Sequence, residues 1–213
     1  TGDFNTAIGQ SSGSETTTAD SNTSVGRESL RTNITGETNT AVGAEALYAS
    51  TGNANVGVGF QAGRANTSGQ IIAIGYQAMV ANTTGTRNIA IGSNAYDSSD
   101  TEDDNIAIGH NAMTQNSAGG TLNTAVGNYS LDALTAGDRN VGFGHETLSA
   151  CTSGIDNVAV GYNALGSNVD SHYNTAMGSR ALEATTASSN TAFGFHAGKV
   201  CVAGDRNVFL GHE

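Results

Sequence analysis

A glycine recurs along the chain at a nearly fixed interval. Gly9, Gly26, Gly43, Gly59, Gly75, Gly92, Gly109, Gly127, Gly144, Gly161, Gly178, Gly194 and Gly211 are separated by 16 to 18 residues throughout. Self-similarity this regular belongs to stacked, quasi-one-dimensional architectures, so it restricts the fold before any other property is weighed. The thirteen copies leave no stretch over for a second domain, and we expect one repeat domain across 1–213. Both ends fall inside the pattern, so the chain reads as a piece of a longer polypeptide.

The residues around the glycine fall into columns, numbered here with the glycine as position 0. Position −4 is Asn in every copy except one, which carries Ile71. Position −3 is always β-branched, as in Thr6, Val56, Ile72 and Val208. Position −2 is Ala, Ser or Gly until Phe209, and position −1 is apolar, as in Ile8, Val58, Phe143 and Met177. Small residues stand at +3 (Ala46, Ala62, Ala78, Ala112, Ala164), and Leu or Met often at +4. A second glycine is common at −7, as in Gly36, Gly52, Gly85, Gly137 and Gly154.

About 17 residues is too short for a repeat of two helices, which needs 33 or more. β-Branched residues in a period of two mark the phrase as a short strand. The glycines supply corners where φ can be positive. The chain is therefore expected to be all-β, a parallel β-solenoid (β-roll) of thirteen coils. At about 4.8 Å per coil, such a stack extends about 60 Å.

Alternation places the −3 and −1 columns on one strand face and the −2 column on the other. Both faces are largely apolar, which reads as a strand buried on both sides. One face would then fill the coil interior and the other meet neighbouring chains, and the small column suits close approach by another backbone. Self-association follows, most simply a homotrimer. The exchange of Thr with Val and Ile at −3 also suggests an inward or interface position for that column.

Composition narrows the function. The net charge of −11 disfavours nucleic acid and anionic membranes, both of which call for clustered Lys and Arg. No run of 18 apolar residues is present, so no helical membrane span is expected.

The phrase "NTAIG" or "NVAVG" followed by "xxA" and a large apolar residue resembles the head repeat of trimeric autotransporter adhesins. It is still more similar to the repeats of bacteriophage tail fibres, most clearly in "NTAVGAEALYASTGNANVGVGFQAG" at 39–63. The resemblance implies a trimer of parallel β-rolls, displayed on a virion or at a bacterial cell surface and used for attachment to a host glycan or protein receptor. It carries no catalytic residues.

Several side chains invite a functional reading. Position +1 holds Phe60, Tyr76, His110, His145, Tyr162, Phe195 and His212, pointing outward near a corner, where rings can stack on sugars or on a receptor. The Asn column reads as a structural ladder rather than a ligand ladder. Glu28 and Glu45 share a column on adjacent coils, about one coil step apart, a spacing a retaining glycosidase could use, although no substrate cleft is apparent. Asp97, Asp100, Glu102, Asp103 and Asp104 form the densest acidic stretch, a solvated loop or a structural Ca²⁺ site. It matches no EF-hand or nonapeptide pattern. No other cofactor is suggested. Cys151 and Cys201 lie three coils apart, too far for an intrachain disulfide, so they are free or pair across chains. The leading expectation is an adhesive or structural fibre segment. An extracellular filament subunit, an ice-binding solenoid and a fibre-borne depolymerase are the alternatives.

Overall fold

A computed structural model describes residues 2–116, 119–201 and 203–212 of the chain. The protein is an all-β parallel solenoid, with no helix among the described residues. It falls into two compact units, residues 1–104 and 105–213. The first holds β1 (Thr6–Ile8), β2 (Thr23–Val25), β3 (Thr40–Val42), β4 (Val56–Val58), β5 (Ile72–Ile74) and β6 (Ile89–Ile91). Each strand covers positions −3 to −1, and within the unit successive strands pair in parallel, so that Thr40 lies opposite Val56 and Ile72 opposite Ile89.

The second unit repeats this plan with β7 (Ile106–Ile108), β8 (Thr124–Val126), β9 (Val141–Phe143), β10 (Val158–Val160), β11 (Thr175–Met177), β12 (Thr191–Phe193) and β13 (Val208–Leu210). Its register is equally strict: Val141 faces Val158, and Thr175 faces Thr191. One sequence column therefore becomes one straight row of side chains within each unit.

The strand faces are the reverse of the expectation. The small −2 column points into the coil, where Ala41, Ala73, Ala107 and Ala159 are fully buried. The −3 and −1 columns point outward and are covered only by the rungs above and below, leaving Ile8 60% and Phe143 57% exposed. Thickness explains this. The wall opposite the strands fills the interior with Leu30, Leu47, Met79, Leu131 and Leu148 from position +4, all buried. A Cβ placed on Gly57, at −2, would lie 2.6 Å from Leu47 Cγ. Only a small residue fits between the walls, so the larger apolar columns face out.

That opposite wall has unusual backbone geometry. Non-glycine residues at +2 and +4 take left-handed conformations, with Glu45 at φ 58 and Leu47 at φ 47. The left-handed region costs an L-residue about 1–2 kcal/mol, and burying a leucine returns about 1.5–3 kcal/mol. Burial wins at +4. The alternation also sends amide protons to both neighbours, since Glu45 N–H donates to Arg27 O at 2.8 Å and Leu47 N–H to Ala62 O at 2.9 Å.

The phrase glycines occupy a backbone region that other residues rarely enter, with φ between +115° and +141°. Close approach adds to the restriction: a Cβ on Gly43 would sit 2.4 Å from Gly59 O. Both facts reserve these corner positions for glycine.

The Asn column is a ladder. Asn39 Oδ1 accepts the Asn55 N–H at 2.9 Å, and Asn39 Nδ2 donates to Gly52 O at 2.9 Å. Asn123, Asn140, Asn157 and Asn174 repeat the pattern in the second unit. These side chains are buried and partnered, which a buried amide needs in order to be tolerated. Ile71 interrupts the run. Its N–H still donates to Asn55 Oδ1 at 3.1 Å, but its side chain offers no acceptor onward.

Candidate binding surface

The aromatic residues at +1 are solvent-facing, as their column requires. Tyr76 is 52% exposed, and Phe60, His110, His145, Tyr162 and Phe195 are likewise exposed. Strict register brings some of them together. Phe60 and Tyr76 stack with ring centroids 5.5 Å apart, and Phe195 lies 5.0 Å from His212.

In the second unit the column gains a member that sequence reasoning missed. Tyr129 stands at +2, yet its ring links His110 at 5.4 Å to His145 at 5.8 Å, and His145 stacks on Tyr162 at 5.8 Å. Arg180 then lies 5.6 Å over the Tyr162 ring. Four rings and a guanidinium thus follow one another along the surface. The available signal was a tyrosine next to the +1 column with His110 and His145 one coil away on either side.

The paired glutamates are arranged otherwise than the glycosidase reading requires. Arg27 bridges them, at 3.1 Å to Glu28 Oε2 and 2.6 Å to Glu45 Oε1. Hydrogen bonds from Gln61, Arg64 and Arg27 lower the Glu45 pKa to about 2. A general acid needs the opposite shift, towards neutrality. The arginines around this pair are engaged as well: Arg31 and Arg64 flank the Tyr48 ring at 5.7 and 5.1 Å.

The acidic stretch is likewise drawn into local structure. Asp104 makes a forked pair with Arg87 at 2.6 and 2.8 Å, which holds its carboxyl below the usual range. Asp103 Oδ1 accepts from the Thr86 amide at 2.6 Å and from its hydroxyl at 3.0 Å. Glu102 Oε2 caps the amides of Asp100 and Thr101, and Asp100 accepts from the Thr83 hydroxyl. Asp97 is separate, beside Ser98, with burial raising its pKa. Among the described residues no three His, Cys, Asp or Glu side chains gather as a metal site would require. The Ca²⁺ reading of Asp97, Asp100, Glu102, Asp103 and Asp104 is therefore set aside.

Cys151 and Cys201 are buried, unbridged thiols at position +7, which Asn33, Asn66 and Asn168 fill in other coils. Burial pushes the Cys151 thiol up to about 11, far from a reactive thiolate.

Comparison of the chain with protein-family models, with curated proteins and with solved structures returns no match.

Proposed function

We propose that the chain is a self-associating structural segment of an extracellular fibre, homotrimeric, whose aromatic columns contact a receptor or glycan on a target surface. The observation that carries this reading is the apolar outer face of the strands. Val56, Ile72, Ile74, Ile89 and Ile91 line it in the first unit, and Ile106, Val141, Phe143 and Val158 in the second. Rows of β-branched residues directed at water mark an association surface, because soluble monomers seldom carry long apolar patches. The small inward column supports the same reading in a new way, since the face offered to a partner is the larger and more apolar one. A net charge of −11 supports a partner other than nucleic acid or an anionic membrane.

Light scattering coupled to gel filtration tests the proposal. A mass near three times 21.4 kDa is expected, falling to a single folded chain in an Ile72→Lys, Ile74→Lys double variant. A folded wild-type monomer would overturn it.

A second reading draws on one observation. The Thr column lies on the outward face, and Thr6, Thr23 and Thr40 stand on successive rungs. An ice-binding face uses outward threonines in register. Inhibition of ice recrystallisation, lost on Thr23→Tyr, is the outcome that would favour this reading over the fibre.

A further inference from the structure

On the surface of residues 105–213, an open cavity of about 280 Å³ is lined by Tyr129, Asp132, Glu146, Ser149 and Ala150. Tyr129 and Glu146 come from position +2 of successive coils, and Asp132 and Ser149 from position +5. The opening follows from the residue sizes there. Position +5 shrinks to Ser149 and then to Gly166, so nothing large fills the groove. In the first unit the same two columns hold Arg31 and Arg64 on the Tyr48 ring, with Arg64 also paired to Glu45.

The charges are as uneven as the shape. Glu28, Glu45 and Glu183, from the same two columns, each have an arginine within 4 Å. Asp97, in the +5 column, stands beside Ser98 and takes its hydroxyl hydrogen bond. Asp132 and Glu146 are close enough for Glu146 to raise the Asp132 pKa, burial being the larger cause, against the pull of the Asp132 and Ala133 amides. Among the described residues Asp132 Oδ1 itself accepts no hydrogen bond. Glu146 has His145 Nδ1 at 3.7 Å, and among the described residues neither carboxylate pairs with Lys or Arg. Two carboxylates lining one cleft repel each other, and a cation held between them offsets that repulsion.

The lining indicates which cation. Two carboxylates alone do not make a divalent-metal site, which takes six or more oxygens for Ca²⁺. A hydroxyl, a methyl group and an aromatic ring complete the wall, which suits a small organic molecule carrying an ammonium. The volume lies just below the usual range of about 300–1,000 Å³ for ligand pockets, so the ligand is of monosaccharide size. We propose that the cleft between Tyr129, Asp132, Glu146 and Ser149 binds the primary ammonium of a small organic ligand. The carboxylates take the charge, Ser149 Oγ, which donates to Gly166 O at 3.3 Å, accepts a hydrogen bond from the body of the ligand, and Tyr129 covers its carbon face. The outer strand face plays no part in this site, so the proposal holds whether or not the chain self-associates.

The test is titration of the whole chain by NMR at neutral pH with three probes. These are glucosamine, its neutral analogue N-acetylglucosamine, and Nα-acetyl-lysine amide. Saturable shifts at Tyr129 and Ser149 are expected with glucosamine and at least tenfold weaker ones with N-acetylglucosamine. A tighter response to the lysine amide than to glucosamine would keep the ammonium and assign it to a protein side chain. Asp132→Asn and Glu146→Gln should each weaken glucosamine tenfold or more, while Glu37→Gln changes nothing. A Ser149→Lys variant tethers an ammonium in the cleft, so it should raise the melting temperature and abolish glucosamine binding. Equal response to the neutral sugar, no saturable response to either amine, or displacement of glucosamine by equimolar Ca²⁺ would each overturn the proposal.

Discussion

The ring of Phe209 fills the space that a side chain at Gly198 would need: a Cβ built on Gly198 lies 2.6 Å from Phe209 Cδ2. Position −2 is small in the other coils, and +4 is mostly a buried Leu, Met or Tyr. Here the sizes are exchanged across the interior. A Gly198→Leu variant should therefore lose about 1–3 kcal/mol through overpacking. Paired with Phe209→Ala it should regain most of that, because the two changes restore the ordinary large and small arrangement. A double-mutant cycle by denaturant unfolding measures the coupling, expected at about 1–3 kcal/mol.

Two positive-φ positions should respond in opposite directions. Gly43→Ala places a methyl 2.4 Å from Gly59 O at φ +133° and should cost about 3 kcal/mol or more. Ala54 is exposed and left-handed at φ 58, so Ala54→Gly relieves strain without removing a contact. Strain relief of about 1–2 kcal/mol exceeds the chain-entropy cost of glycine, about 0.5–1 kcal/mol, so the midpoint should rise slightly. Guanidinium melts of the two variants decide both points.

Asn140 serves the backbone of the coil after it through two bonds, accepting the Asn157 N–H at 3.1 Å and donating to Gly154 O at 2.7 Å. Asn140→Ala strands both backbone groups in the interior, and about 2–4 kcal/mol should be lost. Hydrogen exchange should show faster exchange of the Asn157 amide than of the Asn123 amide, which keeps its own acceptor, Asn105 Oδ1, at 2.9 Å.

Acid should weaken the first unit through Glu45. Its pKa is lowered from 4.5 to about 2, chiefly by the Gln61 hydrogen bond and then by Arg64 and Arg27. A depressed carboxyl stabilises the fold fully above its unfolded value and loses that contribution as pH falls through the folded value. The melting temperature should fall between about pH 4.5 and 2, and Glu45→Gln should flatten that limb of the profile. An unchanged slope in the variant would mean that other acids carry the transition.

The column structure of the fold was legible in the sequence because each rung repeats the same chemistry at the same offset. Strand positions, turn glycines, the Asn ladder and the outward +1 rings all follow from that. Which strand face points inward was not legible, since Ala41 and Val42 both read as apolar and alternation separates faces without orienting them. The deciding fact lies across the coil, where Leu47 enters the interior from a left-handed backbone that nothing in its own side chain announces. Tyr129 was missed for a related reason. Its +2 column is mostly Glu, Gln and Asn elsewhere, and its ring reaches sideways to His110 and His145 rather than along its own column.

The Asn ladder is not symmetric. Most of its amide side chains turn toward the later coil, offering the oxygen to that coil's Asn N–H and the nitrogen to that coil's carbonyl, as Asn39 does for Asn55 and Gly52. A finished rung therefore holds a ready-made acceptor and donor for the segment that leaves the ribosome next. Assembly of the solenoid within each unit can proceed in the order of synthesis, with every completed turn acting as the template for its successor.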